Sequence, residues 1–577
     1  MNARLGRCIG TTLLLAGRMS ALDTPVAPAI ESTPRPDLSS AATITFSEHV
    51  APVIFSRCAP CHRPGEAAPF DLLSFEQVQK RGRQIEEVTR SRYMPPWPPD
   101  PGPLKLVGER RLPDREVELI ARWVEGGMQR GDSSRLPPPP AWTEGWALGE
   151  PDLVLEMPAA YQLAADGLDV YRNFVVPAPV RERRYIRALE FRPQSRAVHH
   201  VFIKVDPSPQ SRLRDELDEE PGFPGFYVES ARMPEGQFVT WQPGKGASTA
   251  PPGMPWVLEP ECDVIIQTHL QPIGRAETIR SRIGLYFTNQ PPVRSPFKLA
   301  LMSFQIDIPP GATNHLVTDS FVMPVDADLL AVLPHGHLLG KSFAAEANLP
   351  DGGSLSLLSI SDWDFNWQGD YSYREPVFLP RGTVLQMRYT FDNSTNNLRN
   401  PHHPPQRVRY GPNSTDEMAE FWLQLLPRTS ADRSTLAESY NRTNFLRITE
   451  YNERLVHERP DDFPARIKLG RARLAQGRFD EARSEVEKAL VLQPDSDDAH
   501  YLLGVLARMQ NRLPDAEREF EAAIRLNPAN ARAHGNLGLV LMQRNQLEQA
   551  QAHLERALQL NPQDEIARSA LDQILKR

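Results

Sequence analysis

The chain reads as a multidomain protein: a small α-helical unit, two β-sandwiches and a C-terminal α-solenoid. Three observations predict this. A length of 577 residues is more than one hydrophobic core serves. Helical periodicity before residue 133 gives way to short alternating runs over about 150–428. Residues 461–577 then repeat at a fixed interval.

At the N-terminus Arg4 and Arg7 precede an apolar stretch from Cys8 to Gly17 that contains Leu13, Leu14 and Leu15. Arg18 interrupts it, and Ser20 and Ala21 offer a small-residue cleavage site. Residues 1–22 therefore read as a signal peptide, which implies a periplasmic or otherwise exported protein. Residues 23–43, with Pro25, Pro28, Pro34 and Pro36, read as a flexible linker. Of the four cysteines, Cys8 lies in the signal, Cys58 and Cys61 share one motif, and Cys262 is left as a buried core residue. No disulfide framework is expected. No stretch offers the ~18 apolar residues of a membrane span. A net charge of −8 gives no ground for nucleic-acid binding. The 56 prolines suit edge strands, turns and linkers.

Residues 44–132 form the helical unit. Ser47 is expected to cap a helix through Phe46–Phe55. Asp114 after Pro113 starts another, with Val117, Ile120, Trp123 and Val124 on one side and Gly126-Gly127 as its stop. Cys58-Ala59-Pro60-Cys61-His62 is a CxxCH motif. Its two thiols add to haem vinyl groups and the histidine supplies an axial nitrogen. A zinc or redox CxxC needs no following histidine, and no second cysteine pair completes a zinc site. The unit is thus expected to be a c-type cytochrome domain with covalently bound haem c. Met94, in Tyr93-Met94-Pro95-Pro96-Trp97, is the expected sixth ligand and Met128 its rival; core packing is the other use of either. Residues 133–150, with Pro137 to Pro140, are a Pro-rich linker.

The alternating runs Val264-Ile265-Ile266, Ile283–Phe287, Phe304–Ile308 and Val384–Phe391 predict β-sandwiches. A break at Asn289-Gln290-Pro291-Pro292 divides them into 151–290 and 291–428. His199 and His200 open the run Val201-Phe202-Ile203, and His269 closes the run from Val264. His335 and His337 are two apart, so on a strand they share a face. Neighbouring strands can build one three-nitrogen site and an HxH pair another. Imidazole suits copper or zinc.

In this order and spacing, residues 150–428 resemble the copper type II, ascorbate-dependent monooxygenases. That family includes peptidylglycine α-hydroxylating monooxygenase and dopamine β-monooxygenase. The resemblance covers about half the chain. It implies two jelly-roll-like sandwich domains, each with a copper ion. An electron-transfer copper would be held by His199, His200 and the His269 of Gln267-Thr268-His269. An oxygen-binding copper would be held by His335, His337 and the Met418 of Asp416-Glu417-Met418. Gln267 would order water or orient His269 between the sites. The implied reaction uses O2 and two electrons to hydroxylate a C–H bond of a small organic substrate. The fused haem suggests a cytochrome chain as electron donor, with or without ascorbate. A thioether favours Cu(I), the state that meets O2. The chain departs from the peptide-hydroxylating members at Leu333, Glu420 and Trp422, where those enzymes place the Arg, Asn and Tyr that hold a substrate carboxylate. Peptidylglycine is therefore not the expected substrate.

After a connector over 429–460, Gly470, Gly504 and Gly538 recur 34 apart, as do Ala482, Ala516 and Ala550, and Pro460, Pro494, Pro528 and Pro562. The units resemble the TPR pattern, whose groove binds a protein partner. Two other readings stand beside the monooxygenase. One is a non-catalytic redox and copper-binding scaffold that recruits a partner through the groove. The other is a zinc protein, against which Met418 argues. A cavity beside His335, His337 and Met418 would favour the enzyme; Trp422 filling that space would favour the scaffold. His402 and His403, in a Pro-rich loop, read as surface residues, with a gate over the second copper as the alternative.

Overall fold

The computed structural model describes residues 43–576, apart from 65, 67, 139, 143–144 and 226–229. The expected signal peptide, Cys8 and all but the last residue of the 23–43 linker lie outside the described residues.

The N-terminal unit packs Phe46, Ile54, Val78, Ile120 and Trp123 into one core. Its first helix opens as a π-turn, Phe46–Val50, and continues as Ala51–Arg57. Ser47 does not cap it. The helix begins one residue earlier, and the Ser47 hydroxyl donates to the Arg130 carbonyl at 2.9 Å. Asp114–Glu125 forms as expected, ending at Gly126. Two short helices were not legible from periodicity: Phe75–Lys80, with a Ser74–Gln77 capping box, and Gly82–Arg90. Each buries too few apolar side chains to leave a repeat in the sequence.

The first sandwich joins two five-stranded sheets over a shared core that includes Phe191, Ile203, Ile266 and Leu285. Cys262 lies in this core, as expected. The central strand Asp263–Leu270 is buried along its whole length, because strands Val170–Pro177 and Val198–Asp206 flank it antiparallel. Its Ile265 packs on the outer face under Phe223. The chain passes to the second sandwich between Thr288 and Phe297. There, two four-stranded sheets enclose Leu299, Val332, Leu385 and Phe391. Within Phe304–Ile308 only Asp307–Ile308 is a strand; Phe304 instead packs on Tyr410 and Tyr451.

The connector is a 29-residue helix, Ser430–Glu458, that begins at a Thr429–Asp432 capping box. Leu436 and Tyr440 belong to the second sandwich's core, so this helix is part of that domain's packing. Helical pairs follow from Phe463–Ala475 to Glu565–Leu575. A Cβ on Gly504 would lie 2.6 Å from the Phe520 ring, and one on Gly470 2.7 Å from Val486. The 34-residue glycine register thus marks where paired helices touch backbone to side chain. No described helix is long and apolar enough to cross a membrane.

The helical unit is clamped to the second sandwich. Asp100 accepts from the Ser359 and Ser361 hydroxyls at 2.8 Å, and Leu106 bridges Tyr373.

Candidate haem and metal centres

Cys58 and Cys61 close the first helix and form no disulfide. Burial pushes the Cys58 thiol up to about 12, which disfavours a thiolate for zinc or redox chemistry. The Nδ1–H of His62 donates to the Phe70 carbonyl at 3.0 Å, which leaves Nε2 with the lone pair. All three residues line a cleft of about 230 Å³ that opens to solvent. Met94 lines the same cleft. Met128 does not; it packs on the helical core against Gly82 and Trp123. Two free thiols, an oriented imidazole and a thioether around one cleft fit a covalently attached haem. The remaining walls come from both sandwiches: Arg196, Val198 and Trp241 from the first, Trp367 from the second.

His200 and His269 face each other across neighbouring strands. On a regular strand His199 would point to the opposite face. The ladder slips between His269 and Leu270, so His199 occupies a bulge. The bulge turns it to the same side, and His199 Nδ1 lies 3.1 Å from His200 Nδ1 and 3.0 Å from His269 Nδ1. His269 Nε2–H donates to Asp169 Oδ2 at 2.8 Å, so its Nδ1 carries a lone pair. Lone pairs converging at such distances repel unless a cation sits between them, and the set fits a metal ion. Burial lowers His199 to about 4, with His269 adding to the effect. For Asp169, burial is the largest single influence and opposes ionisation, but the hydrogen bond and charge of His269, with Gln271 and His199, together outweigh it and hold the carboxyl below its usual range. Gln267, two residues before His269 on the same strand, is buried. Its amide donates to Asn173 at 2.9 Å, and the orienting group is Asp169.

The strand Ala327–Gly336 pairs with Ala419–Pro427 so that Gly336 faces Ala419. His337 and Met418 follow and precede this last pair, and Gly336 packs against the Met418 carbonyl. His335 Nδ1–H donates to Gln368 Oε1 at 2.6 Å, because the Gln368 amide nitrogen itself donates to the Phe365 carbonyl. His335 Nε2 is buried without a hydrogen-bond partner. His337 Nδ1–H donates to the Asp416 carbonyl at 3.0 Å. Both rings thus offer Nε2, a donor pair that fits copper or zinc, and Met418 is buried beside Glu417 just before the neighbouring strand begins. Glu417 is fully buried and accepts from the backbone N–H groups of His337, Leu339 and Met418 at 2.9, 2.6 and 3.2 Å.

The two sets are neighbours. The buried Phe365 ring lies 5.8 Å from His199, 6.0 Å from His269 and 6.0 Å from His337. His200 and His335 line one crevice of about 20 Å³. Beyond Gln242 and the 367–370 segment a cavity of about 420 Å³ opens, lined by Trp97, Arg110, Lys245, Asp370 and Tyr371. Trp422 packs on Phe238, Ala331 and Leu333, and its Nε1–H donates to Glu420 at 2.8 Å. Four positioning residues were missed in the sequence: Asp169, Phe365, Gln368 and Glu417. Only Glu417, inside the Asp416–Met418 motif, carried a signal. His402 and His403 stay on their loop, with no contact to either set among the described residues.

The tetratricopeptide repeat model matches residues 467–520 and 510–565. These helices are tetratricopeptide repeats. Among solved structures, the chain is similar to MamA at 22% identity over 26% of this chain and 84% of that one, with a TM-score of 0.22. It is also similar to the first TPR of Spaghetti (RPAP3), solved bound to the HSP90 peptide SRMEEVD, at 23% identity over 20% of this chain and 90% of that one, with a TM-score of 0.19. No curated protein matches the chain. In these tetratricopeptide repeats one cross-helix pair recurs at the same place: Arg466 with Glu485, His500 with Glu519, and His534 with His553.

Proposed function

We propose that the protein is an exported copper-dependent monooxygenase that hydroxylates a C–H bond of a small organic substrate. Its electrons come through a haem c held in a cytochrome c domain, or from ascorbate. One observation carries the reading: a buried three-histidine set and the His335–His337 pair lie on either side of a single ring, Phe365, with Met418 nearby in the chain order the copper family uses. With copper bound, the His335–His337 set would supply O2 activation and the three-histidine set would store the second electron.

The protein's part is positioning. Asp169 holds His269, Gln368 fixes the tautomer of His335, and Glu417 pins the turn that carries His337. Phe365 keeps water out of the space between the sets. The Met418 thioether favours the cuprous state. Glu420, an acceptor beside this set, suits a substrate without a carboxylate. The cavity past Gln242 is the substrate's place, reaching His335 through the crevice the two share. The tetratricopeptide groove recruits a protein partner.

A second reading, a copper-binding redox scaffold without turnover, is favoured by the small crevice at His335 and by the packing of Trp422. Stopped-flow oxidation of the reduced, copper-loaded protein by O2 separates the two. The monooxygenase reading expects fast, copper-dependent oxidation of haem and copper, strongly slowed by Met418→Ala. A haem that stays reduced, with the variant behaving as wild type, leaves the scaffold.

A further inference from the structure

Each histidine set lies one residue from the haem cleft, the first through His199 itself and the second through Gln368, the partner of His335. Val198 lines the cleft, and His199 follows it. Trp367 lines the cleft, and it is followed by Gln368, whose amide holds His335. The first pair belongs to the first sandwich and the second pair to the other. From the cleft, one peptide bond leads to the three-nitrogen set. One peptide bond, the Gln368 side chain and a 2.6 Å hydrogen bond lead to His335. Among the described residues no hydrogen bond joins the two sets to each other, and Phe365 stands between them. Electron tunnelling decays steeply with distance, and less steeply along bonds than across packed or empty space. The two short bonded routes are therefore better conductors than the ring between the sets.

The cleft also offers donors that a haem could use. Its walls carry Arg57, Arg110 and Arg196, and the buried Trp367 Nε1–H has no hydrogen-bond partner. Guanidinium and indole donors suit the acidic side chains of a haem.

We propose that the haem cleft feeds the two histidine sets through separate wires, Val198–His199 and Trp367–Gln368, so that the His335 set receives its electron without drawing on the three-histidine set; the wiring rests on the haem and copper assignments above. In each transfer one electron leaves iron(II), which becomes iron(III), and reduces copper(II) to copper(I); no proton moves and no bond breaks. Gln368 is a positioning residue that also completes the route.

The test uses full-length protein loaded with haem and copper, without O2. A His200→Ala variant keeps copper only at the His335 set. The haem is reduced by a flash from a photoexcited ruthenium complex, and its reoxidation is followed with the loss of the Cu(II) EPR signal. The expected result is that His200→Ala still reoxidises its haem. In that background Gln368→Leu loses the fast phase with its Cu(II) spectrum unchanged, and Gln368→Glu, which keeps an acceptor, restores it. Should the leucine variant lose copper, Gln368→Asn, which keeps the amide but shortens its reach, is the deciding variant. A haem that stays reduced in His200→Ala while wild type reoxidises overturns the separate wires. So does a fast phase indifferent to Gln368. Because this test is run without O2, it is independent of hydroxylation: a copper-loaded protein that forms no hydroxylated product in a separate aerobic assay would sink the monooxygenase reading and leave this one standing.

Discussion

His269 donates its Nε2 hydrogen to Asp169 Oδ2 at 2.8 Å, and this one bond assigns the lone pair of the facing Nδ1 to the three-histidine set. Outer partners of this kind are worth ~10–100-fold in metal affinity. Asp169→Ala is expected to weaken copper at this set by about that factor, leaving the His335 set intact. Copper titration followed by EPR, which resolves the two sites, checks it. Equal weakening at both sites would show that Asp169 acts on the fold as a whole.

Glu417 receives three backbone N–H groups inside a fully buried pocket. Gln at this position turns an amide donor toward those donors. An unsatisfied buried group costs about 1–3 kcal/mol. Glu417→Gln is expected to lower the melting temperature and to weaken copper at the Met418 set first. Calorimetry with metal analysis reads both.

The histidine sets make stability depend on pH. Burial, with His269 adding to it, lowers His199 from the usual 6.5 to about 4. Burial, with His335 adding, lowers His337 to about 3. The unfolded chain protonates these rings near 6.5, so between there and the folded values it binds more protons than the folded chain. Stability rises with pH wherever that holds. The metal-free protein should therefore be most stable above about 6.5 and lose stability as pH falls through that value toward 4. Copper binding should persist to lower pH than free imidazole allows, since protons compete weakly until the folded values are approached. Melting curves and copper titrations across this range test both; a flat melting temperature would contradict the first.

Met94 and Met128 are separable by their surroundings. Met94 lines the cleft beside Cys58, Cys61 and His62, whereas Met128 is half-buried against the helical core. Met94→Ala is expected to change the haem spectrum and potential with little loss of stability. Met128→Ala is expected to cost up to about 2 kcal/mol, the low end for Met→Ala, with the haem spectrum unchanged. The reverse pattern would make Met128 the ligand.

Gly504 abuts the Phe520 ring, where a Cβ would sit 2.6 Å away. Gly504→Ala is expected to destabilise the tetratricopeptide array by about 1–3 kcal/mol through overpacking. Thermal unfolding followed by circular dichroism would register it.

Much of this molecule was legible in its sequence. The 34-residue register, the CxxCH motif and the alternating strand runs each leave a local pattern, because each reflects a repeating contact or a chemistry bound to adjacent residues. The five histidines and Met418 were legible as types in an order. Less visible were the short helices Phe75–Lys80 and Gly82–Arg90 and the role of the 429–460 connector, whose contacts are made with partners distant in the chain.

The sequence by itself determined the succession of units, the tetratricopeptide period, and which residues carry ligating atoms. Only the tertiary structure decided where those atoms meet. His199 and His200, adjacent on a strand, would point to opposite faces, and the bulge opposite His269 brings them to one side. Met94 rather than Met128 reaches the cleft because the loop after Arg92 forms part of its wall while Met128 packs on the helical core beside Gly82. Asp169, Phe365 and Gln368 join the sites through contacts spanning 33 to 166 positions. Such contacts are fixed when whole sheets dock, by the packing of surfaces that no local run of residues specifies.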